Sequence, residues 1–82
     1  MKITNLPNNC ELREYSDGSK YYFQNGKLHR LDGPAVEYSD GAKQWYQNNQ
    51  LHRLDGPAVI YSNGTKEWYF YGKFFCERKR NP

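Results

Sequence analysis

Short apolar runs, each bounded by Gly, Asn, Asp or Pro, recur along the whole chain. Segments such as Ala58-Val59-Ile60-Tyr61 and Lys66-Glu67-Trp68-Tyr69-Phe70 carry the β-branched and aromatic residues that suit a pleated strand. No window places apolar residues at helical spacing without a Gly or Pro interrupting it. The breaks are equally regular. Asp17-Gly18, Asp40-Gly41 and Asn63-Gly64 supply the residues that a two-residue hairpin turn at positive φ demands. A second turn follows at Asn25-Gly26, Asn48-Asn49 and Tyr71-Gly72. A third falls at Asp32-Gly33-Pro34 and Asp55-Gly56-Pro57, where Pro removes a ladder N–H. The pattern predicts an all-β protein: a single sheet-like array of antiparallel β-hairpins, each unit adding two main strands and a short third one.

That array is written in the chain as repetition. Residues Tyr15 to Glu37 recur as Tyr38 to Ile60, with 16 of the 23 positions identical. A third copy starts at Tyr61 and leaves the template after Lys73, while Leu12-Arg13-Glu14 occupies the slot of Ala35-Val36-Glu37. The predicted organisation is one repeat domain over 1–82. It has a leading partial unit (1–14), repeats at 15–37 and 38–60, a divergent repeat (61–77) and a basic tail (78–82). A fixed period of this length is the signature of stacked units, none of which buries its apolar face alone. Strand alternation puts Tyr22, Trp45 and Trp68 on one face, expected to be the core. It puts Phe23, Tyr46 and Tyr69 on the other, a candidate exposed aromatic face.

The third copy breaks the rule in one direction. Polar positions 47, 48, 52 and 53 correspond to Phe70, Tyr71, Phe75 and Cys76. In a chain of 82 residues, which buries only about 60% of its unfolded surface, such rings need a cover. Either Ile3, Leu6, Cys10 and Leu12 fold over them, or another chain does. Phe70, Tyr71, Phe74, Phe75, Arg78, Lys79 and Arg80 are therefore the candidate surface for a protein partner or a homodimer contact.

Charge changes the picture little. The net +3 resides in Arg78, Lys79 and Arg80, and the other nine Lys and Arg balance nine Asp and Glu. A nucleic-acid reader normally shows a basic stripe on its body, so base stacking on Tyr and Trp with the tail on phosphate is the secondary reading. The amino terminus shows no apolar run of signal-peptide length and no segment has a membrane helix's length, so the expected location is cytoplasmic. In that reducing setting Cys10 and Cys76 are expected to be free thiols. The one constellation suggesting catalysis is His29 with Asp32, echoed by His52 with Asp55. No Ser or Cys nucleophile recurs beside either pair. The four residues are expected to hold turns by hydrogen-bonding the turn backbone, with no metal, cofactor or enzymatic role. Arg30 and Arg53 are expected to pair with Asp32 and Asp55, or with Glu37.

The 23-residue spacing and the pattern Tyr-x-Asp-Gly-x-x-x-Trp/Tyr, followed by Asn-Gly-Lys-Leu-His, resemble the membrane occupation and recognition nexus (MORN) repeat over residues 15–75. Where the usual repeat reads His-Gly-x-Gly, this chain has His29-Arg30-Leu31-Asp32-Gly33-Pro34-Ala35 and again His52 to Ala58. It is similar to variant MORN-like repeats of bacterial and bacteriophage proteins. The resemblance implies an elongated sheet of hairpins, a binding role and no catalytic residues. Together with the small size it points to a non-enzymatic inhibitor that blocks a host or bacterial defence complex, for example a CRISPR-type one. The neutral body argues against membrane binding.

Overall fold

The computed structural model describes residues 1–78, and every regular element among them is a strand. Strands β1 (Lys2–Leu6) and β2 (Cys10–Glu14) form a leading hairpin; β3 (Lys20–Gln24) and β4 (Lys27–Leu28) follow. The middle holds β5 (Val36–Glu37), β6 (Lys43–Gln44), β7 (Tyr46–Gln47) and β8 (Gln50–Leu51). Then come β9 (Val59–Ile60), β10 (Lys66–Phe70) and β11 (Lys73–Arg78). The main sheet runs in the order β1-β2-β3-β5-β6-β9-β10-β11, with β4 paired to β3 and β7 with β8 as a separate ribbon. Every pairing is antiparallel. The protein is an all-β slab of 40 × 27 × 15 Å.

Two kinds of turn build it. Asn25 and Gly26 sit at φ of 51° and 78°, and Asn48 and Asn49 at 50° and 67°, the paired left-handed residues of a tight hairpin. The Asp-Gly turns differ from the two-residue turn expected of them. Only Gly18, Gly41 and Gly64 have positive φ there. Gly18 N donates to Tyr15 O and Tyr15 N to Ser19 O, closing a longer loop. Its reason is the Asp side chain: Asp17 Oδ1 accepts from Ser19 N at 2.9 Å, as Asp40 does from Ala42 N and Asn63 from Thr65 N. That hydrogen bond also holds the Asp17 carboxyl below its ordinary pKa.

Between turns the chain leaves the sheet. Leu28 faces Phe23 and Val36 faces the preceding Tyr21, so residues 29–35 loop out of the ladder and return. Residues 52–58 repeat this between Leu51, opposite Tyr46, and Val59, opposite Gln44. The same backbone bonds close both excursions: Tyr22 N to Ala35 O and Trp45 N to Ala58 O, each 2.7 Å.

The fully buried apolar residues are Ala35, Val36, Ala58 and Val59, at the points of return. The expected core rings Tyr22, Trp45 and Trp68 are only half-buried. A sheet of one layer has no second layer to cover its rings. Over two of them a guanidinium takes that place: Arg30 lies 3.9 Å from the Tyr22 ring centre and Arg53 3.9 Å from that of Trp45. Such contacts contribute about 0.5–2 kcal/mol, rising with desolvation.

Candidate functional site

Each excursion is held by its arginine. Arg30 Nε donates to Asp32 Oδ1 at 2.9 Å, and Nη1 to Pro34 O at 3.1 Å and Glu37 Oε2 at 3.4 Å. Arg53 repeats the arrangement with Asp55 Oδ1 and Pro57 O, both at 3.0 Å. The bond from Arg30 lowers the Asp32 pKa. These guanidinium groups are thus engaged within the fold. The tips they support carry Leu31 and Leu54, which are 77% and 75% exposed. Beside them lie two hollows of about 510 and 620 Å³, one over Tyr22 and Leu6, the other over Trp45 and His52. The exposed leucines were missed in the sequence. Their only signal is a Leu inside a polar turn, outside the alternation of any strand.

The histidines reach further than their own turns. His29 Nδ1 accepts from Asn48 N at 3.2 Å, and His52 Nδ1 from Tyr71 N at 2.9 Å, so each imidazole caps the second turn of the next copy. Asp32 and Asp55 face arginine instead, and no His–Asp pair forms among the described residues. His52 is 3% exposed. Its ring stacks on Tyr71 at 4.0 Å and meets Phe70 edge-on at 6.1 Å. Tyr71 occupies a left-handed φ of 48°, uncommon for a bulky side chain. The His52 bond and the stack hold it there.

The divergent third copy places exposed rings along its last hairpin, Tyr71 in the turn and Phe74 and Phe75 on the two faces of β11. Tyr71, Phe74 and Phe75 are 66%, 57% and 67% exposed. Phe70 is half-buried, edge-on to Phe75 at 5.4 Å, and Phe74 meets Tyr69 edge-on at 5.5 Å. Strand β11 pairs along all of β10, with Phe74 facing Tyr69, Cys76 facing Trp68 and a bulge at Phe75. Arg78 ends the strand, while Lys79 and Arg80 lie outside the described residues. The amino-terminal segment does not cover these rings. Ile3, Leu6, Cys10 and Leu12 belong to β1 and β2, at the opposite edge of the strand order.

Phe23, Tyr46 and Tyr69 do not form an open aromatic face. All three are half-buried. Arg13, paired with Glu11, lies 4.3 Å over the Phe23 ring. Burial raises the Tyr46 phenol pKa, and the Tyr69 hydroxyl donates to Glu67 Oε1 at 3.2 Å. Exposed rings do recur elsewhere, at Tyr15, Tyr38 and Tyr61, the first residue of each copy. Tyr21 meets Tyr15 and Tyr38 edge-on at 5.2 and 6.1 Å. Compared with protein-family profiles, with curated proteins and with solved structures, the chain matches none of them.

Proposed function

We propose that this chain is a non-enzymatic protein-binding module built from MORN-like repeats, docking through its C-terminal hairpin. The observation that carries the reading is the exposure of three rings on the edge hairpin, Tyr71 in its turn and Phe74 and Phe75 on the two faces of β11. Full burial of a large apolar side chain contributes about 1.5–3 kcal/mol, and the more than half of each ring left in water forgoes the corresponding share, which a partner recovers by covering it. An edge strand also offers unpaired N–H and C=O groups beside those anchors. The partner in this reading is a larger protein whose working surface is blocked on binding. A component of a host or bacterial defence complex fits a small chain with no repeated nucleophile.

The test is affinity capture from bacterial lysate with the full chain and with a Phe74→Ser, Phe75→Ser variant. The variant's fold is checked by circular dichroism. The expected result is a protein retained by the wild type and lost, at least tenfold, from the folded variant. Retention of nothing, or equal retention by both, overturns the reading.

A further inference from the structure

Carboxylates stand between lysines along one row of the sheet, and one slot of that row lacks its carboxylate. The row reads Lys2, Glu14, Lys20, Glu37, Lys43, Ile60, Lys66, each opposite the next. Glu37 therefore lies between Lys20 and Lys43, and Arg30 Nη1 donates to its Oε2 at 3.4 Å. One copy further on, the same three cations recur in the same register as Lys43, Lys66 and Arg53, with Ile60 in their midst. Lys20 faces two carboxylates, whereas Lys43 faces one and Lys66 meets only Ile60 across β9. Arg53 is held as Arg30 is, over Trp45 and on Asp55 Oδ1 and Pro57 O, yet its Nη1 has no counterpart of Glu37. Among the described residues no carboxylate forms an ion pair with Lys43 or Lys66, and both lysines are exposed.

We propose that the slot over Ile60 takes a carboxylate of a protein partner, an Asp or Glu side chain set between Lys43 and Lys66 and reached by Arg53. This deepens the protein-binding reading and rests on it. The first copy supplies the template, because there the same cations in the same register surround a glutamate of the chain itself. A guanidinium already fixed by its own fold loses little freedom when it accepts a further charged partner, which favours binding. The slot also shares a face with one of the exposed rings. Lys66 and Phe70 are four residues apart on β10 and point the same way, and Phe75 meets Phe70 edge-on. One acidic segment lying across β9 and β10 can thus meet both the cations and Phe75. A nucleic-acid backbone fits less well, since the exposed Asp55 beside Arg53 opposes a second phosphate.

The probe is the acetylated and amidated peptide Ala-Leu-Glu-Leu-Ala, with Gln in place of Glu as its control. Each is titrated into the full chain at low salt and followed by chemical shifts. The expected result is roughly fivefold tighter binding of the Glu peptide, with shifts at the Lys43, Ile60 and Lys66 amides and at Arg53 Nε–H. Ile60→Glu, which writes the first copy's residue into the slot, should abolish the preference for Glu. The carboxyl it introduces should titrate below the ordinary glutamate range, as cations favour its charged form. Lys66→Gln, at an exposed position, should weaken the Glu peptide while leaving circular dichroism unchanged. Equal affinity for the two peptides, binding of neither, shifts confined to other residues, or an ordinary pKa for the introduced carboxyl overturns the inference. So does an oligothymidylate that produces the same shifts more tightly than the Glu peptide. If these outcomes occur while capture still depends on Phe74 and Phe75, the slot fails and the protein-binding reading stands.

Discussion

Gly33 and Gly56 show how a residue without a side chain holds an arginine in place. Neither has positive φ, so backbone freedom is not their reason. A Cβ on Gly33 would stand 3.0 Å from Arg30 Cζ, and one on Gly56 2.8 Å from Arg53 Cζ. The guanidinium, at the end of a flexible chain, would slide away from Trp45 and from its oxygens on Asp55 and Pro57. Gly56→Ala is therefore expected to lower unfolding free energy by about 1 kcal/mol, the loss of a cation–π contact and strained hydrogen bonds less the entropy gained in the unfolded chain. Urea denaturation checks the size, and a double-mutant cycle checks the cause. In a Gly56→Ala background, Arg53→Ala must cost clearly less than it does alone. Simple additivity would mean that Arg53 keeps its seat and that the glycine acts some other way.

At the scale of the element, the histidine link between copies is the joint that matters. His52 accepts the Tyr71 N–H, stacks on its ring and is almost wholly enclosed, whereas His29 makes the corresponding bond while half-buried. His52→Ala is expected to cost about 2–3 kcal/mol, through a cavity and an N–H without an acceptor at a strained turn. His29→Ala should cost about 1 kcal/mol. Chemical denaturation of the two variants settles the order, and equal losses would deny His52 its special place. The second turns were readable because Asn25-Gly26 and Asn48-Asn49 suit a left-handed pair, and β-branched alternation states a strand, whereas Asn63-Gly64 closes a longer loop because its Asn side chain accepts from Thr65 N. The arginine caps were not, since a guanidinium reaches Tyr22 or Trp45 only because residues 29–35 and 52–58 leave the ladder. The third copy misled for a related reason. Alignment sets Phe75 and Cys76 against His52 and Arg53, as substitutions. In the sheet Glu77 instead faces Glu67, as Val59 faces Gln44, so the copy lacks the excursion and a single bulge stands in its stead.

Across the whole molecule, stability is a sum of junctions between like units, because β3, β5, β6, β9 and β10 pair only with neighbours along one direction. The buried residues show this directly: Ala58 N bonds Glu67 O and Val59 lies between Gln44 and Glu67, so each copy closes its core against the next. The leading hairpin and β10–β11 act as ends, with longer strands and no excursion. A further unit should then lengthen the array without disturbing either end. A chain in which residues 38–60 are duplicated between Ile60 and Tyr61 keeps the native Ile60–Tyr61 junction and introduces one more of the same kind. It gains one additional pair of buried Ala and Val, one arginine cap and one histidine link. Burying that apolar surface and closing those bonds should exceed the ordering cost of residues that already suit strands and turns. The expectation is a higher urea midpoint by at least half a molar, with a larger denaturant slope in proportion to the added surface and a single transition. An unchanged or lower midpoint, or a separate early transition for the inserted unit, would mean that the two ends cooperate directly and that the copies are not independent modules.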